Sequence, residues 1–191
     1  MKQQKFIAVL AMGWCLLSSG AWGDTITNMP RTRLGLFEAQ TGRVIIEGTA
    51  EIGQISGAAG AVSVRCRESL DAAGAGQVLG AVIGLKQGEH KEDTALIDYD
   101  ELDSVIQGVD YISKVNYTVT SLAAFDAVYT TRDEFRISAH SSHRQPGTIL
   151  FFLSSHGDNP TRLTLAPNQF AQFLSLLQQA KSRLDSLNKR A

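Results

Sequence analysis

Three of the four histidines in this 191-residue chain fall between positions 140 and 156, and imidazole is well suited to ligate a transition metal or move a proton near neutral pH. His140-Ser141-Ser142-His143 closes one strand-like run, and His156-Gly157-Asp158 occupies the next turn. If the two segments met, His140, His143 and Asp158 would offer zinc a mixed nitrogen and oxygen set, and a zinc-activated water would make a metal-dependent hydrolase. The strand between them, Thr148 to Leu153, argues against the meeting. At ~3.3 Å per residue it holds its flanking turns roughly 15–20 Å apart, so these side chains are expected as solvated loop residues.

Other catalytic arrangements lack their signatures. A serine nucleophile on a strained turn needs a Gly-x-Ser-x-Gly elbow, which does not occur. Asp98, Asp100, Glu101 and Asp103 cluster at an expected helix start, where negative charge is favourable for structural reasons, and they read as capping. Gly74-Ala75-Gly76 lacks the spacing and the following helix of a dinucleotide loop, and reads as a hairpin turn. No cofactor is implied.

Binding is better supported. Thr148-Ile149-Leu150-Phe151-Phe152-Leu153 is apolar on both faces, more than a sheet with one wet side requires. Its second face needs a cover: the other half of the chain, a partner subunit, or a ligand that stacks on Phe151 or Phe152. In Ala61 to Arg67, alternation puts Val62, Val64 and Cys66 on one face and Ser63, Arg65 and Arg67 on the other. An exposed aromatic beside Arg65 or Arg136 would make a nucleic-acid or polysaccharide surface, so Arg65, Arg136 and Phe152 are the candidate ligand-binding residues, while Cys66 is expected as a buried, inert core residue. Pairing of Cys66 between chains stays open.

The first 23 residues read as a secretory signal peptide. Lys2 and Lys5 give the basic start, Phe6 to Leu17 the apolar run, and Ala21-Trp22-Gly23 the small-x-small cleavage site. That run is shorter than the ~20 apolar residues needed to span a bilayer, so cleavage and an exported, periplasmic or secreted, chain are expected. Cys15 leaves with this segment, and no internal disulfide is then possible. Of the 191 residues 168 remain, enough for one real core. Lys2 and Lys5 also leave, so 16 basic side chains face 19 acidic ones, a net charge of −3 with no footprint for generic polyanion binding. Asn116-Tyr117-Thr118 matches a glycosylation sequon whose meaning depends on the host, and Asn159-Pro160-Thr161 is excluded by its proline.

The elements that must position these residues follow from periodicity and turn chemistry. Residues 24–32 read as a tether. Strands are expected over Leu34–Gln40, Arg43–Ile55, Ala61–Leu70 and Gln77–Leu85, then a helix from about Tyr99 to Ser113, with Asp98 and Glu101 closing a capping box. Strands return at Tyr117–Ser121, Phe125–Thr131, Phe135–His140, Thr148–Leu153 and Arg162–Leu165. The chain ends on an amphipathic helix from Pro167 to about Leu187, with Phe170, Phe173, Leu174, Leu177, Leu184 and Leu187 on its stripe. The fold class is α+β: an antiparallel meander with two amphipathic helices and two β-rich halves, 33–115 and 116–191. Shifting the chain by 68 lays Leu102, Val105, Ile106 and Val109 on Phe170, Phe173, Leu174 and Leu177, which points to an internal duplication.

Strands followed by Leu165-Ala166-Pro167-Asn168-Gln169-Phe170 and a long helix resemble the strand-strand-strand-strand-helix unit of Whirly-like single-stranded nucleic-acid binders, the transcriptional coactivator type included. The likeness covers residues 117–188 and, more loosely, the first half. It implies paired units that bind a single strand across exposed sheet faces. The chain departs from that pattern in its signal peptide and its acidic balance. Its general character is that of exported bacterial proteins without a diagnostic motif.

Three functional readings follow. The leading one is an exported, non-enzymatic module that binds a partner protein or envelope component through a sheet face or edge, homo-oligomers included. The second is a single-stranded nucleic-acid or polysaccharide binder, with the hydrolase third.

Overall fold

The computed structural model describes residues 30–57, 60–74, 76–89, 92–141, 147–157 and 159–189. Period-two alternation builds two antiparallel meanders of four strands each. The first sheet has the order β1 (Ile45–Gly57), β2 (Gly60–Asp71), β3 (Gln77–Lys86) and β4 (Asp93–Asp98), and leads into α2 (Leu102–Ser113). The second has the order β5 (Asp126–Thr130), β6 (Arg136–Ser141), β7 (Ile149–Ser154) and β8 (Arg162–Leu165), and leads into α3 (Pro167–Asn188). The fold is α+β with two halves of the same ββββα order. A short α1 (Arg33–Glu38) precedes the first sheet.

The inner faces of both sheets share one core with the two long helices. Val62, Val64, Ala81, Ile83 and Ile97 from the first sheet, and Ile137, Ala139 and Leu153 from the second, are completely buried. The helices exchange partners: α2 lies against β5 and β6 of the second sheet, while α3 lies mainly against β1, β2 and β3 of the first. Neither half closes its core without the other. Burial of Leu102, Val105, Val109 and Ile112 on α2, and of Phe170, Phe173, Leu177 and Leu184 on α3, follows the expected stripes. Gly108, a poor helix former, is needed for packing, since a Cβ there would lie 2.4 Å from the Tyr129 ring. Cys66 is buried with its thiol 3.5 Å from the Ala180 carbonyl oxygen, and burial pushes its pKa up to about 11.

Four local expectations are corrected. Leu34–Gln40 is not a strand; most of it is α1. Thr32 caps that helix, its Oγ1 accepting from Gly35 N at 3.0 Å, while the Asp98 carboxylate accepts from Arg33 N and Leu34 N. Six residues show no readable helical period, and the second cap lies 64 positions away. Asp98 is thus engaged on α1 and does not start α2, whose N-cap is Glu101 without a side-chain cap bond.

Tyr117–Ser121 is not a strand either. Asn116 Oδ1 accepts from Thr118 N and Thr118 Oγ1, and Thr120 Oγ1 accepts from Leu122 N, so side chains hold the backbone in turns. Finally, β4 was not expected, because its six residues begin and end on aspartate, a residue depleted in strands. The second half secures its outer edge, with Leu96 N donating to Asp133 Oδ2 and Ser155 Oγ donating to Asp93 Oδ2. The proposed signal peptide (1–23) and most of the tether lie outside the described residues, and no described helix is long and apolar enough to cross a membrane.

Candidate binding face on the second sheet

Strand pairing fixes what the outer face of the second sheet presents. Residues opposite one another share a face, so Val128, Ser138, Phe152 and Thr164 form one transverse row. Thr130, Arg136, Ser154 and Arg162 form the next, and Asp126, His140 and Leu150 a third. The strands alternate accordingly, with Ile137, Ala139, Phe151, Leu153, Leu163 and Leu165 inward. Phe151 stacks on Phe170 of α3 with ring centroids 4.4 Å apart. Phe152 turns outward, and its cover is Arg162, whose guanidinium carbon sits 3.9 Å from the ring centroid. Val128, two strands away in the same row, is 47% exposed.

The face forms a depression of about 480 Å³ bounded by Asp126, Val128, Arg136, His140, Pro160 and Arg162, with Ser138 and Ser154 between them. It runs into a second of about 380 Å³ toward Thr130 and His156. Arg136 and Arg162 make no ion pair with any described residue. Of the acids, Glu134 pairs with Arg31, and Asp126, which lines the depression, lies 2.5 Å from His140 Nδ1 in the same lining. Positive charge is therefore left over among the described groups, next to an aromatic ring already ordered by a guanidinium. Such a surface can hold an anionic group and an apolar one side by side.

The first sheet is built differently on its outer face. Arg65 pairs with Glu92 at 2.9 Å, and Ser63 donates to the same carboxylate. Arg67 reaches both Glu38 and Glu47, and Ser69 donates to Glu38. Glu38 closes α1, which lies over β3 and β4. Where α1 crosses β3, a Cβ at Gly80 would meet Leu34 at 3.0 Å.

Of the candidate residues, Arg136 and Phe152 share the second sheet's outer face, while Arg65 sits on the other sheet, neutralised. His140 lies on the same face as Arg136, hydrogen-bonded to Asp126. His143 and Asp158 lie outside the described residues. Among the described residues no group of three or more histidine, cysteine, aspartate or glutamate side chains could hold a metal ion. Sequence reading did not single out Arg162, Ser154 and Val128. Alternation in Arg162-Leu163-Thr164-Leu165 marks Arg162 as outward, but only the β7–β8 register places it beside Phe152. No protein-family model matches the chain, and no curated protein matches it.

Proposed function

We propose that this protein is an exported, non-enzymatic binding module that engages an envelope component or partner through the outer face of its second sheet. The observation that carries this reading is the contrast between two sheets of identical strand order. One has its outer arginines neutralised and carries α1 over its β3 and β4, while the other leaves Arg136 and Arg162 without a carboxylate among the described residues, beside Phe152. The amino-terminal signal pattern supports export.

Retention of the mature chain on the isolated envelope of the producing cell tests the reading. Arg136→Glu with Arg162→Glu should abolish retention, and Lys114→Glu, on an exposed turn after α2, should preserve it. Retention that survives the double reversal would contradict the reading.

A second reading, a single-stranded nucleic-acid binder on the Whirly-like plan, draws support from the arginine stacked on Phe152 in an open sheet face, since such binders combine cations with aromatic platforms. Saturable binding of oligothymidylate, lost in the same double variant and weakened steeply by salt, would favour it.

A further inference from the structure

Arg136 and Arg162 bracket one residue. Ser154 on β7 lies opposite Arg136 on one side and opposite Arg162 on the other. The two arginine Cα atoms are thus about two strand spacings apart, roughly 10 Å, within reach of a single group above Ser154. The Ser154 side chain is small, and its hydroxyl donates to the Ser155 carbonyl, which leaves the floor between the arginines low and polar. Arg162 is held by its ring contact at 3.9 Å, so its planar donors are presented before any ligand arrives. Arg136 is exposed and makes no described ion pair.

A carboxylate is satisfied by one guanidinium fork. A tetrahedral ester with three terminal oxygens can accept from two. What adjoins this point in the depression is mixed. Val128 is exposed and apolar, Ser138 and His140 are polar, the one carboxylate in the lining, Asp126, is hydrogen-bonded to His140, and Arg162 lies over the Phe152 ring. A sugar, with C–H patches between hydroxyls, meets matching neighbours in Val128 and in the polar Ser138 and His140. Two cations are few for a polynucleotide, which carries one charge per nucleotide along its whole contact.

From these features we infer that the second sheet's outer face is a glycan site, in which Arg136 and Arg162 clasp a phosphate or sulfate monoester over Ser154 and the attached sugar rests toward Val128. This inference rests on the reading of that face as the binding surface, and it names the ligand's chemistry.

Calorimetric titration of the mature chain with glucose 6-phosphate, glucose, inorganic phosphate and a short oligothymidylate tests it. Glucose 6-phosphate should bind saturably and more tightly than glucose or phosphate alone. Arg136→Ala and Arg162→Ala should each weaken it by at least about tenfold, Arg162→Lys should recover only part of the loss because the fork is gone, and Lys114→Ala should change nothing. No saturable binding of glucose 6-phosphate, or binding indifferent to both arginines, would overturn the inference. If oligothymidylate alone binds through these arginines, the glycan assignment falls while the outer-face reading stands. If envelope retention also survives the double reversal, both fall.

Discussion

The two sheets have the same strand order, and each is followed by a helix, yet their outer faces have opposite characters. On the first, every outward arginine of β2 has a carboxylate partner and α1 lies across the strands. On the second, the arginines flanking Ser154 have no carboxylate partner among the described residues, and Val128 stands 47% exposed. Topology therefore says nothing about which face is available. Availability is decided by a six-residue helix, three glutamates and the register of one four-residue strand.

The contrast can be broken most severely at Asp98, which is 2% exposed and ties α1 and Arg132 to the end of β4. Asp98→Ala removes three charge-assisted hydrogen bonds and releases the cover of the first sheet. A loss of about 3 kcal/mol is expected from denaturant midpoints, together with faster amide exchange in α1. An unchanged midpoint would mean that α1 is held by other contacts.

Truncation of the arginines themselves compares the two faces directly. Arg67→Ala leaves Glu38, at 18% side-chain exposure, without its cation, and should cost about 1–2 kcal/mol. Arg136→Ala removes no described ion pair and should leave the midpoint within about 0.5 kcal/mol. Equal losses would erase the distinction between a structural and a binding face.

The helix starts sharpen the comparison at smaller scale. Ala166 is exposed and extended at φ −67° and ψ 156°, as an N-cap should be, but it has no side-chain oxygen, and the only local reciprocal bond runs from its own N–H to Gln169 Oε1 at 2.9 Å. Ala166→Ser should raise stability by roughly 1 kcal/mol. A loss would place an unfavourable contact at the start of α3.

The smallest effect is a pH dependence at the start of α2. Burial, the largest influence on the Glu101 carboxyl, pushes its pKa above the ordinary value of 4.5, although Arg132 N donates to it. A carboxyl with a raised folded pKa binds its proton first in the folded state, so its contribution is fully present below 4.5 and is lost as pH rises through the folded value. Between pH 7 and pH 5 the native chain should therefore gain stability relative to Glu101→Gln, by tenths of a kcal/mol. Parallel pH profiles would contradict this.

Much of the architecture was legible because it rests on long, regular patterns. The alternation in Ala61 to Arg67 placed Cys66 and the arginines on opposite faces, and the stripes Leu102 to Ile112 and Phe170 to Leu184 located both long helices. The offset of 68 between those stripes matched the repeated ββββα order. What escaped was decided at a distance. α1 depends on a carboxylate 64 positions away, β4 on pairing with β3, and the turns at 117–121 on side-chain bonds that outcompete a strand-like composition. The candidate face was half legible: Arg136 and Phe152 were among the residues the sequence singled out, but the row that seats Arg162 beside them exists only once β7 and β8 are in register.

Photocrosslinking in the producing cell tests the central claim most directly, with benzoylphenylalanine placed at Val128 on the outer face of the second sheet or at Thr49 on that of the first. Both positions are exposed. The face comparison predicts a discrete adduct from Val128 that disappears with Arg136→Glu and Arg162→Glu, and none from Thr49. An adduct from Thr49 alone, or one from Val128 that is indifferent to both charge reversals, would contradict it.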